Sequence, residues 1–230
     1  MDDQGHLLFA TLQLADSFFP TGMFTQSHGL EGFVAAGAAD PAQIEALLHG
    51  YLLHVAAPGD ALAARWVARA AQAGDLDLVA QIDDRLEATK LAPEGRVVSR
   101  RCGGRMLLLG ADMFGGGLPG QYAARVGAGQ ARGHQAVALA LLAAASGLDE
   151  RAVVAIELHS FAVSIISAAV RLGALDHSLA QRLLLRAQPV LAEAASLGET
   201  LDWREIGGFA PWIELMQFQH AYADLHMFVS

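Results

Sequence analysis

Residues 152–170 form an apolar window between Arg151 and Arg171, broken only by Glu157, His159 and three serines. A window of that length can cross a bilayer. An acidic side chain near the bilayer centre costs roughly 2.5–3.5 kcal/mol on insertion scales, so a helix buried in a protein core accounts for it more simply. That reading needs enough other apolar helix to surround the window. The chain supplies it: 53% of its 230 residues are hydrophobic and only 17% are charged, which argues against disorder.

The wrapping segments carry the helical period. Ile44, Leu47, Leu48, Tyr51, Leu52 and Val55 make one stripe, with Asp40 as cap and Pro41 at the first turn, predicting a helix over 40–57. Pro58-Gly59 then reads as a break, with Asp60 capping a helix to about 73. Further helices are expected over 76–89, from 93 to about 109, over 133–145, from 150 to about 172 behind Asp149, over 178–195 with Pro189 kinking or splitting it, and over 211–228. The glycine-rich stretch 110–120 reads as a flexible loop. No segment alternates as a strand does. The expected fold class is therefore all-α, one compact multi-helix bundle and a single domain over 1–230, with a C-terminal tail near 220–230.

Most chemistry is missing from the sequence. The formal net charge is -9, which works against binding nucleic acid by bulk electrostatics. One cysteine, Cys102, leaves no disulfide framework and suits a reducing compartment. The start, Met1-Asp2-Asp3, lacks the basic flank of a signal peptide, so no targeting segment is expected there. No two of the nine histidines have the i, i+4 spacing of a helical metal pair. His49 and His54 lie about 140° apart on a helix, and His220 and His226 about 240°. Lys90 is the only lysine and is far from any phosphate-loop glycine pattern, so no site for GTP or NAD is expected. No G-x-S-x-G elbow surrounds a serine. Cys102 sits among Arg100, Arg101 and Arg105, which could activate its thiol; a small residue filling a helix contact is the plainer reading. Arg96, Arg100, Arg101 and Arg105 step along one helix, either as a partner face or as a solvated face paired with Glu87, Glu94 and Asp83.

Residues 12–31 stand apart: LQLADSFFPTGMFTQSHGLE runs from an apolar helix through a Pro20-Thr21-Gly22 turn to an aromatic and then Ser27-His28-Gly29-Leu30-Glu31. This segment resembles the N-terminal signature of the UreF family of urease accessory proteins, with Pro20, Gly22, Phe24, Ser27, Gly29, Leu30 and Glu31 at the matching positions. The resemblance continues through Pro58 with Asp60, Lys90 to Arg96 with Ser99, Gly133-His134, Arg171-Leu172-Gly173, and the tail positions His220, Phe228 and Ser230. The chain departs from the family in three places. His226 and Val229 stand where tail arginines are usual, Phe24 where tyrosine is frequent, and Asp176-His177 where a glycine-rich pair is expected.

The resemblance implies an all-α, cytoplasmic, dimeric protein without catalytic activity or a cofactor of its own. It implies partners: an accessory protein of the UreD (UreH) type, a nickel-carrying GTPase of the UreG type, and apo-urease, into which the assembly inserts nickel. Partner contacts would fall on the matching residues of 20–31 and on His220, Phe228 and Ser230. Two other functions fit the residues alone. One is a helical enzyme with Glu157 and His159 as acid and base, although the pair lies about 200° apart on a helix. The other is a peripheral membrane bundle, for which a lysine-rich face is lacking.

Overall fold

A computed structural model describes residues 3–19, 26–220 and 228. In chain order the helices are α1 (Asp3–Ala15), α2 (Leu30–Ala35), α3 (Pro41–Tyr51), a π-helix (Leu52–Ala61), α4 (Leu62–Gln72), α5 (Leu76–Thr89), α6 (Pro93–Met113) and α7 (Gly117–Gly127). They continue with α8 (Gln135–Ala145), α9 (Glu150–Arg171), α10 (His177–Arg186), α11 (Gln188–Leu197), a 3-10 turn (Trp203–Glu205) and α12 (Pro211–His220). No strand occurs among the described residues, as the missing alternation predicts.

The apolar window is α9, and it lies inside the protein. It is the one helix among the described residues long and apolar enough to cross a membrane, and 67% of its most apolar window is buried. Val153 and Ile156 face a core built on α4, α5 and α8, while Leu158, Phe161, Ile165 and Ile166 face a second core built on α3, the π-helix, α10 and α11. One long helix thus forms the wall shared by two hydrophobic cores. Each fully buried side chain of this size contributes ~1.5–3 kcal/mol. Side-chain caps from Asp149 to the Ala152 N–H and from Asp176 to the Leu179 N–H start α9 and α10. Arg65 and Arg69 of α4 both pair with Glu150, fixing the start of α9 against the first core.

Two expected breaks are helical. Pro58-Gly59 does not interrupt the chain: the π-helix carries α3 into α4 without a gap. Proline in an α-helix removes a hydrogen bond and clashes with the carbonyl one turn back, and the wider π winding accommodates both. The Pro58 carbonyl instead accepts from the Gly207 N–H at 2.9 Å. Asp60 is therefore inside a helix rather than capping one.

The stretch 110–120 is helix except for 114–116, where Gly115 and Gly116 take positive φ. Its glycines serve close packing rather than a long loop. A Cβ on Gly110 would stand 2.7 Å from Leu142 Cδ1, and one on Gly120 would touch Ala111. The closest approach is elsewhere: a Cβ on Gly103 of α6 would lie 2.1 Å from the Gly133 carbonyl oxygen, so α6 crosses the start of α8 backbone to backbone. The proline at 189 falls in the first turn of α11 and marks the split from α10.

Candidate functional site

A cavity of about 120 Å³ opens where the π-helix, the end of α5, the starts of α6 and α8, the middle of α9 and the start of α12 meet. The π winding aims Asp60 into it, and Lys90, just past α5, pairs with Asp60 at 2.7 Å. From α9 comes Glu157, which is 1% exposed and accepts a hydrogen bond from Gln135 Nε2 at 3.0 Å. Burial first, and the charge of Asp60 second, push the Glu157 carboxyl up to about 8, so it holds its proton at neutral pH. His28 also lines the space. Burial, then Lys90, lowers its pKa to about 4, and the ring is neutral.

Beside the cavity, Ser99 Oγ lies 3.0 Å from His134 Nδ1, and His134 Nε2 lies 2.7 Å from Glu87 Oε2. Burial, then Lys90, lowers the His134 pKa, so the contact with Glu87 is a hydrogen bond of a neutral ring. A carboxylate only accepts, which places the ring proton on Nε2 and makes Nδ1 the acceptor from Ser99. Serine, histidine and acid in this order are the members of a nucleophile triad. Here they cap a helix instead. Ser99 Oγ accepts from the Gln135 N–H at 3.3 Å, and the neighbouring N–H groups of Arg132, Gly133 and His134 all donate to the buried Asp83 carboxylate. The donors that could have stabilised an oxyanion are already used. Tyr122 adds an O–H to Asp83 at 2.7 Å.

The arginine cluster divides. Arg96 and Arg100 turn inward to Glu87, while Arg101 and Arg105 stay exposed on α6 between Val97 and Leu108. Asp83 pairs with none of them. Cys102 is buried, burial raises its thiol pKa, and Gln26 Nε2 donates to its sulfur at 3.6 Å, so the plain packing role is the one the fold gives it. Glu157 and His159 face apart: the first is in the core, the second is exposed. Among the described residues no three His, Cys, Asp or Glu side chains come close enough to hold a metal ion.

The family model described as UreF matches residues 38–188, about two thirds of the chain. The chain belongs to the UreF family. Relatives extend the similarity to almost the full length. The urease accessory protein UreF of Lachnoclostridium phytofermentans is 32% identical over 220 residues, covering 95% of this chain and 96% of that protein. Those of Paenarthrobacter aurescens and Trichodesmium erythraeum are 31% and 30% identical, covering 96% and 92% of this chain and 97% and 91% of their own lengths.

The fold brings several of the UreF-like positions to one place. Asp60, Lys90, Glu94, Gly95 and Ser99 line the cavity, with His134 behind Ser99. The 26–31 segment lies against it through Gln26 and His28. His28 has φ 52 and Gly29 φ 84, and the His28 carbonyl accepts from Tyr51 Oη at 2.6 Å and from Gln217 Nε2 at 3.3 Å. Gly29 is needed for closeness as well as for its positive φ: a Cβ there would meet the Gln217 backbone N at 3.0 Å. α12 therefore rests directly on residues 29–32.

Of the expected contact residues, Ser27 and Leu30 are buried within the chain, Glu31 is half-buried in the first turn of α2, and Phe228 is buried under the Arg171 guanidinium at 4.3 Å. Pro20, Gly22, Phe24 and Ser230 lie outside the described residues, as does the side chain of His220, whose backbone ends α12. Exposed apolar side chains lie beside these positions: Phe18 at 91% ahead of the Pro20 segment, and Phe209 at 82%, Trp212 at 70%, then Leu215 and Phe218 at α12. The spacing of Trp212, Leu215 and Phe218 is readable as one side of a helix, with Phe209 just before it. That it points outward depends on Gly29 and Gly32 docking the other side of α12.

Proposed function

We propose that this chain is a scaffold in urease maturation. It joins a UreD (UreH)-type accessory protein and a nickel-carrying UreG-type GTPase so that nickel enters apo-urease. On this reading it works in the cytoplasm, as a homodimer, with no reaction and no cofactor of its own, and nickel and GTP stay with its partners. Membership of the UreF family supports the urease context. The observation that carries the scaffold role is the set of exposed apolar side chains at α12, Trp212, Leu215 and Phe218, with Phe209 just before it. The buried matching residues Ser27, Gly29 and Leu30 then act by seating α12. Pro20, Gly22, Phe24, Glu31, His220 and Ser230 are further partner contacts on this reading, whereas Phe228 is buried against Arg171.

The test is the nickel content and activity of urease produced with the other accessory proteins, with and without this chain. Both collapse without it and return on complementation. Urease that is fully metallated regardless would end the scaffold reading.

A further inference from the structure

The cavity holds more acid than base. Glu94 and Glu214 border it, Asp60 and Glu157 lie deeper, and the one cation that lines it among the described residues, Lys90, is already paired with Asp60. Glu157 uses one oxygen on Gln135; its other oxygen has no hydrogen-bond partner among the described residues. A buried carboxyl with an unused oxygen on a cavity is an unmet demand for a polar partner. About 120 Å³ holds several water-sized groups, enough for a small head group.

The charge decides the class of ligand. An anion would meet Asp60 and the bordering carboxylates. A compact metal ion needs ligand atoms converging on one point, and no such group occurs among the described residues. A cation with several N–H donors can instead share them among separated acceptors: the free Glu157 oxygen, Asp60 and the Gln135 amide oxygen. We infer that this cavity binds one organic cation, a primary ammonium or a guanidinium group, which replaces the proton on Glu157. The exchange balances: the carboxylic acid becomes a carboxylate paired with the cation, and one proton leaves to solvent. The groups that bias it are Asp60 from the π-helix, Lys90 after α5, His28 before α2, Glu94 from α6 and Glu214 from α12. The inference concerns the isolated chain and stands apart from the scaffold role.

Calorimetric titration of the full chain with methylguanidinium chloride, at constant ionic strength in buffers of different ionisation enthalpy, counts the protons. With Glu157 titrating at about 8, one saturable site releases about 0.9 proton per cation at pH 7 and about 0.1 at pH 9. Glu157→Gln removes the release and weakens binding at least tenfold at pH 9, where the wild-type carboxyl is already ionised. N-methylurea, neutral and similar in shape, binds at least tenfold more weakly than the cation. Absence of saturable binding, binding without proton release at pH 7, or equal binding of N-methylurea overturns the inference. The wild-type proton count does not depend on how the variant folds. Repeating the titration after assembly with the UreD-type protein separates two sources. Lost binding assigns the cation to a lysine or arginine of that partner, and retained binding assigns it to a free small amine.

Discussion

Glu157→Gln also tests the electrostatics of the core directly. In the folded chain the carboxyl titrates at about 8, against the ordinary value of 4.5. Because the folded value is raised, the native state holds a proton that the unfolded chain has lost between those two values. The contribution of this one group to stability is therefore full below about 4.5, falls as pH rises toward 8, and levels off above it. At about 1.4 kcal/mol per pH unit, the window from 4.5 to 8 amounts to an upper figure on the order of 5 kcal/mol. Relaxation around the ionised group and water entering the cavity bring the expectation to a few kcal/mol.

Glutamine keeps the shape and can still bond Gln135, but it has no proton to lose. The assay is urea unfolding of wild type and Glu157→Gln at pH 5, 7 and 9. The variant stays within about 1 kcal/mol of wild type at pH 5 and gains on it by a few kcal/mol at pH 9. Taking the difference between the proteins cancels every other titrating group. Curves that stay parallel within about 0.5 kcal/mol across the range would refute the claim that Glu157 is buried and protonated.

Two further changes probe packing and the partner surface. Gly103→Ala forces a Cβ toward the Gly133 carbonyl and should cost about 3 kcal/mol or more, whereas Gly104→Ala, with nothing within 4 Å, should be neutral or stabilise by about 0.5–1 kcal/mol, both read from urea midpoints. Trp212→Asp, or truncation after Gln219, should weaken copurification with the UreD-type protein at least tenfold while circular dichroism stays nearly unchanged; an intact complex would remove α12 and the tail from the partner surface.

Sequence period and caps were enough for the elements whose ends are set locally. The helix over 76–89 and the Asp149 start of α9 depend on residues a few positions apart. The elements that surprised depend on contacts across the fold. Pro58 is tolerated because the helix widens and because Gly207, far along the chain, takes its carbonyl. Gly110 and Gly120 look like loop residues until the facing Leu142 and Ala111 are in view. The site was legible only in pieces. Glu157 stood out as an acid in an apolar window and Lys90 as a lone lysine, but nothing local says that they meet Asp60. The division of the arginine cluster, two inward to Glu87 and two outward, likewise follows from where α5 lies beside α6.

Residues 206–208 carry a mechanical consequence. Ile206 is held by Arg85 through its carbonyl, Gly207 by Pro58, and Gly208 passes so close to the His54 carbonyl that a Cβ there would stand 2.3 Å from the oxygen. This short length of chain is clamped on both sides while α12 beyond it rests on α2. A force applied to α12 by anything bound there enters the body of the molecule at the clamp, beside the turn that carries Asp60, and is grounded before it reaches α11.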